Sequence, residues 1–488
     1  MPTDVMRAQR KPGRDGLDAA LGRLVMTSSI NTAVFRGLLA VVVLAPVPFG
    51  ANRPWAWSLL AVLIGLLAGG WALLAIFGRC RAPLPAGRLA AAAIPFGLAM
   101  LWAVAQTSSL IPAGSWHPLW GEAAQALGGG GNGMISAAPD ATWSAVMRLS
   151  CYATVFLLAA QLGMERARAH EAMTAVVVAG VAYAGYGLFV YFSGREEILW
   201  FAKWAYLGDL TSTFVNRNAY GAYAALGLVC CVATFAHRLR RRREERRGAA
   251  EWTETLLVRA MPYLIGALLT GSALLLSHSR GAFLSGGLAL ATLMVALTLG
   301  RALSPQAALR IGLTILVVAV AVVAMNGEGT LERLLETGTP AADEGRADVY
   351  RLTLAAIADA PLTGHGLGAF QSAFRMYRDG GLHRAEDWQY AHNVYLEMAM
   401  DLGVPAAGAF FASLLAVLAA CVRGLFRRRR DQVYPATALA AAVLIGAHGL
   451  IDFSAQIPAI AMTLALLMGI GFAQSWSSRT LSEDGTAP

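Results

Sequence analysis

Long uninterrupted apolar runs, each about as long as a bilayer is thick, constrain this chain more than any other feature. Runs of about 17–23 residues recur from end to end, for example Val34–Phe49, Ser58–Phe77, Leu89–Ala105, Ala172–Phe192, Leu256–Leu276 and Ile311–Met325. A helix of roughly 20 apolar residues crosses the hydrocarbon core. Strands of a membrane barrel would alternate apolar and polar residues, and these runs do not. Only 14% of the 488 residues are charged and 57% are hydrophobic, against roughly 25% charged in a soluble domain. The fold class expected is an all-α, polytopic integral membrane protein.

About twelve spans follow, near 34–50, 57–77, 89–106, 146–163, 170–192, 218–236, 256–276, 283–299, 311–325, 396–422, 434–452 and 457–475. The net charge of +9 sits mostly in short breaks between them: Arg7 to Arg23, Arg79 to Arg88, Arg166 and Arg168, Arg238 to Arg247, Arg423 to Arg430. Basic breaks of this kind mark cytoplasmic loops, so the charge points to the membrane and away from nucleic acid. Alternating the spans from a cytoplasmic N-terminus keeps every strongly basic break on the cytoplasmic side. Residues 1–33 and 476–488 are then cytoplasmic tails. Three long segments lie outside: 107–142, 193–217 and the largest, 326–395. No cleavable leader is expected, since about thirty polar and charged residues precede the first apolar run. The five cysteines form no C-x-x-C pair, which argues against a disulfide framework or zinc site.

The large external segment has helical periodicity. Val349, Leu352, Ala356 and Ile357 form one apolar stripe, broken by Pro361, Gly364 and Gly366. Phe370, Phe374 and Tyr377 form a second. Two short amphipathic helices are expected, lying on the membrane or capping a cavity.

Three polar clusters fall on the external side: Thr211 to Tyr220 around Arg217, the Ser-His-Ser-Arg-Gly turn at 277–281, and Tyr390-Ala-His-Asn393. Arginine at the external face runs against the usual charge bias. Arg217 and Arg280 each have two readings. One is a structural pair with Asp209, Glu386 or Asp387, or snorkelling to headgroups. The other is a bidentate grip on phosphate oxygens. His392 is either a satisfied imidazole at a helix entry or a base whose ordinary pKa suits proton transfer near neutrality. Asn393 is a helix cap or an orienter of a hydroxyl. The chain has no Asp-x-Asp pair, P-loop or G-x-S-x-G, which disfavours metal-seated nucleotide sugars, ATP-driven transport and serine hydrolysis.

Together, Phe214-Val-Asn-Arg-Asn218, Ser279-Arg-Gly281, Arg346, Asp359 through Gly368, His392-Asn-Val-Tyr-Leu-Glu397 and Gly403-Val-Pro405 resemble the bacterial O-antigen ligase/polymerase superfamily over about residues 200–420. Two positions depart from its pattern: Ala406, and Arg217 where the family often has Pro. The resemblance implies a metal-independent membrane glycosyltransferase without a cofactor, in the bacterial inner membrane with its active site in the periplasm. Its donor would be a glycan on undecaprenyl diphosphate. Its acceptor would be a hydroxyl of lipid A-core or of a growing polysaccharide, with inversion at the anomeric carbon. Carried onto this chain, His392 would be catalytic, and Arg217, Arg280, Arg346 and Asn393 would bind substrate. Ligase and polymerase both fit. A transporter or flippase of a lipid-linked glycan, or a non-catalytic scaffold of a polysaccharide assembly complex, is the alternative on the same span pattern.

Overall fold

The structure, a computed structural model, describes residues 14–243, 255–325, 340–379, 382, 387–428 and 430–476. Parts of the expected tails, residues 244–247 of one basic run, residues 326–339 of the large external segment, and Glu386 lie outside the described residues. Within them the chain is almost entirely helical. Its helices are α1 Arg14–Leu44, α2 Pro54–Ile76, α3 Ala86–Ala105, α4 Pro118–Ala126, α5 Pro139–Leu162, α6 Arg166–Phe192 and α7 Arg217–Arg243. They continue as α8 Met261–Leu276, α9 Arg280–Leu299, α10 Pro305–Met325, α11 Pro340–Asp359, α12 Phe370–Phe374 and α13 Val394–Leu402. The last three are α14 Val404–Arg427, α15 Val433–His448 and α16 Pro458–Gln474. Strands β1 (Glu197–Ile198) and β2 (Phe201–Ala202) make one small antiparallel hairpin.

A helix stands at each of the twelve expected positions. Eight of the described helices are long and apolar enough to cross a membrane. Ser29–Leu44, α15 and α16 are apolar but shorter. The burial pattern fits an apolar solvent. In α7, 94% of the apolar stretch is buried, whereas in α2 and α3 only 17% is. So α7 is the axis of the bundle, and α2 and α3 are its flank. That flank exposes Leu59, Leu66, Leu73, Ile76, Leu98 and Leu101, a surface far too apolar for water. α6 meets α7 where Gly180 faces Gly227; a Cβ on Gly180 would stand 3.0 Å from the Gly227 Cα. Small residues permit this close backbone approach where apolar lipid offers no hydrophobic drive.

Three boundaries differ from expectation. α1 begins at Arg14, so part of the expected tail is helical; Ala19, Ala20 and Leu21 are good helix formers. α5 begins at Pro139, where a proline at the first helical position and Asp140 in the first turn start a helix well. The expected run 396–422 is two helices. Gly403, at φ 76° and ψ 156°, separates α13 from α14, a conformation open in practice to glycine alone.

The two ends of the bundle differ chemically. One end is basic. Arg166 pairs with Asp431 at 2.9 Å and Arg168 with Glu165 at 2.5 Å. Arg88 and Arg423 both lie over the Trp476 ring. The other end carries the long connections. Gln106 donates to the Thr363 carbonyl (2.7 Å) and the Asp401 carbonyl (2.8 Å), and accepts from the Leu367 amide at 3.0 Å. That one side chain ties the connection after α3 to the one after α11. Val349, Leu352 and Ala356 of α11 bury against Phe370, Phe374 and Met400. The two expected amphipathic helices therefore pack on each other and on α13. The second is one short α segment followed by a 3-10 turn, Arg375–Tyr377.

Candidate active site

Two helices enter the bundle at this loop-rich end with arginine as their first residue. Asn216 caps α7: its Oδ1 accepts from the amides of Asn218 (2.7 Å) and Ala219 (3.1 Å). Ser279 caps α9, its hydroxyl accepting from the Ala282 amide at 3.3 Å. Arg217 and Arg280 thus stand where helix dipoles already favour negative charge.

Arg217 is held. Its Nη1 donates to Asp209 Oδ2 at 2.9 Å, and its guanidinium lies 5.8 Å from the Tyr206 ring. This is the Asp209 partner anticipated by the structural reading. Asp209 is shared, since its Oδ1 lies 2.8 Å from His278 Nδ1. Burial pushes the Asp209 carboxyl up, but the His278 hydrogen bond and the Arg217 charge outweigh it and hold it below the ordinary range. Arg217 Nε finds no acceptor among the described residues. Arg280 is half-buried and has no ion pair among the described residues. A Cβ on the adjoining Gly281 would lie 3.4 Å from His448 Nε2, so the start of α9 rests on the end of α15.

His392 occupies the next position around this end. Its backbone is left-handed, φ 53°, and the following Asn393 caps α13 by accepting from the amides of Tyr395 and Leu396, both 3.1 Å. The imidazole lies 5.6 Å from the Trp388 ring and 5.0 Å from the Phe453 ring. Its Nδ1 faces Asp452 Oδ1 at 3.8 Å and makes no hydrogen bond. Burial lowers the His392 pKa; the Asp452 carboxylate opposes this and the Arg346 charge adds to it. The net effect favours the neutral ring, the form a general base requires.

Arg346, on α11, is half-buried and has no ion pair among the described residues. Tyr206 connects the two halves of the site. Burial raises its phenol, and it feels the charges of Asp452 and Arg346 as well as those of Arg217 and Asp209. A cavity of about 320 Å³ opens beside Asp209, lined among others by Lys203, Thr211 and Ser212.

The sequence reading singled out His392, Asn393, Arg217, Arg280 and Arg346, and all five lie at this end. It did not single out Asp452, which follows α15 and is 2% exposed. His278, inside the turn at 277–281, was likewise not marked by the sequence. An ionisable residue closing an apolar run was the available signal for Asp452.

No curated protein matches the chain. The family described as O-antigen ligase matches residues 265–411, a segment from within α8 into α14 that holds Arg280, Arg346, His392 and Asn393 and excludes Arg217. That match supports the resemblance to the O-antigen ligase/polymerase superfamily over this segment of a helical, apolar-surfaced bundle.

Proposed function

We propose that this protein is a metal-independent, inverting glycosyltransferase of the bacterial inner membrane. It would move a glycan from undecaprenyl diphosphate to an acceptor hydroxyl at the periplasmic face, as an O-antigen ligase or a polysaccharide polymerase. The observation that carries the reading is the imidazole of His392, facing the buried carboxylate of Asp452 at 3.8 Å, at the same end of the bundle as three arginines.

The chemistry follows from that arrangement. With Nδ1 turned to Asp452, Nε2 of His392 takes the proton of the acceptor hydroxyl. The oxygen attacks the anomeric carbon, and the bond from that carbon to the diphosphate oxygen breaks with inversion. Asp452 stabilises the imidazolium as it forms. Charge growing on the diphosphate is met by Arg280, with Arg346 and the held Arg217 beside it. Guanidinium groups and helix N-termini supply the positive field that a cation would otherwise bring. With twelve crossings and both termini in the cytoplasm, this end would face the periplasm; the arginine-rich opposite end, as expected of a cytoplasmic side, supports that reading.

The test is glycan transfer from a lipid-linked donor in proteoliposomes. His392→Ala is expected to lower kcat by about 10²–10⁴, and Arg280→Ala by about 10² or more. Transfer should persist in EDTA. Near wild-type rates in both variants would overturn the reading, and loss in EDTA restored by magnesium would overturn metal independence.

A further inference from the structure

We propose that Glu397 and Gln456 form a bracket that positions His392 against Asp452, making Glu397 a positioning residue for proton transfer. The inference rests on the reading of His392 as the base. It arises from an unusual division of labour within one carboxyl group. Glu397 is 5% exposed. Its Oε2 accepts from the backbone amide of Ala391, the residue before His392, at 2.8 Å. Its Oε1 accepts from Gln456 Nε2 at 2.7 Å. Gln456 ends the 3-10 turn Ser454–Gln456, which begins two residues after Asp452. One buried side chain therefore holds both the segment carrying the imidazole and the segment carrying its carboxylate.

His392 requires such holding. Its φ of 53° is a conformation that non-glycine residues adopt at a cost. Its ring nitrogen and Asp452 are 3.8 Å apart with no hydrogen bond closing the gap. The distance is thus set by the backbones. Three further contacts tie the same segments: the Val394 amide donates to the Gly449 carbonyl at 2.8 Å, and the Tyr350 hydroxyl lies 3.0 Å from the His392 carbonyl and 3.4 Å from that of Leu450. These act on the carbonyl side of His392. Glu397 acts on the amide side and reaches beyond Asp452.

Burial pushes the Glu397 carboxyl up to about 7, against the opposing effects of the Gln456 and Ala391 bonds and of Arg148 on α5. Asp401, one turn further along α13, and Tyr390 are the other titratable groups that feel its charge. A protonated carboxyl still accepts from Ala391 through its carbonyl oxygen, and the Gln456 amide can turn its own oxygen to the new O–H. A glutamine at 397 can keep both ties, its oxygen accepting from the Ala391 amide and its Nε2 donating to the turned Gln456 oxygen. The bracket therefore depends on hydrogen bonding and not on charge, which separates it from a base or a charge partner.

The experiment uses the full-length protein in proteoliposomes with the lipid-linked donor. Glu397→Ala is expected to lower kcat about 10- to 100-fold with KM for the donor unchanged, as displacement of a reacting group does. Glu397→Gln is expected to return most of that rate. A second readout does not need transfer: carbethoxylation of His392 by diethyl pyrocarbonate, followed by mass spectrometry. It should quicken several-fold in Glu397→Ala and match wild type in Glu397→Gln. Wild-type kcat in Glu397→Ala, equal loss in both variants, or an unchanged modification rate would overturn the bracket. If Glu397→Ala fails to fold, Gln456→Ala removes one arm alone and should lower kcat several-fold; a wild-type rate there overturns the proposal. A His392→Ala variant that keeps full transfer defeats the base assignment, while the modification rate still judges the bracket.

Discussion

Asp452 is the residue whose removal best separates proton transfer from binding. Its carboxylate raises the His392 pKa against burial and against Arg346. Asp452→Asn keeps the shape and removes the charge. The imidazole pKa then falls further, so the acid limb of the pH–rate profile moves to lower pH while the plateau drops about tenfold or more. A profile with an unmoved acid limb would show that Asp452 does not act on the base. At this scale the site was partly legible. His392, Arg217 and Arg280 stood out because each is polar beside an apolar run and on the side where arginine is scarce. Asp452 did not, because what defines it is a partner far along the chain. His392 and Asp452 are brought together by the packing of α13 beside the turn after α15. No local pattern announces a contact of that kind.

Among elements, the break at Gly403 decides where α13 lies. The apolar content of 396–422 reads as one span, because composition does not distinguish a straight helix from two joined at an angle. Backbone geometry does. A Cβ on Gly403 would stand 2.5 Å from the Leu362 carbonyl oxygen, in a conformation that excludes side chains. Gly403→Ala should therefore destabilise the fold by about 3 kcal/mol, measured as a lower thermal midpoint in detergent; an unchanged midpoint would mean the break is not required. A second tie at this scale is the pair His117–His365, Nε2 to Nδ1 at 3.0 Å. The Leu119 amide donates to His117 Nδ1, and His365 Nε2 reaches the Ala356 carbonyl at 2.9 Å. This ladder needs both rings neutral. Burial, then the His365 charge, lowers His117 to about 4. A depressed histidine pKa makes the neutral state native-like, so the contribution is complete above pH 6.5 and is lost as pH falls towards 4. The loss amounts to at most about 3 kcal/mol. The thermal midpoint should fall between pH 7 and pH 4.5, and the fall should be smaller in His117→Gln.

For the whole molecule, the apolar flank and the two unlike ends make one argument. α2 and α3 expose leucine along their length, so the medium around the bundle is hydrocarbon. The basic breaks gather at one end and the candidate site at the other. Alternation of apolar runs made this polarity legible in the sequence. α11 was legible as an apolar stripe, but α13 was less so as a separate helix, because its face buries against α11 through residues far apart in the chain. The polarity is open to a direct test. All five cysteines are buried, so a single added cysteine reports its own side. Leu110, 93% exposed, lies in the connection after α3 at the site end, and Arg79 is exposed at the basic end. In intact cells with a permeable outer membrane, a membrane-impermeant maleimide should label Leu110→Cys and spare Arg79→Cys. After lysis it should label both. The opposite pattern would turn the molecule over. It would put His392 and the arginines on the cytoplasmic face, out of reach of the proposed periplasmic donor and acceptor.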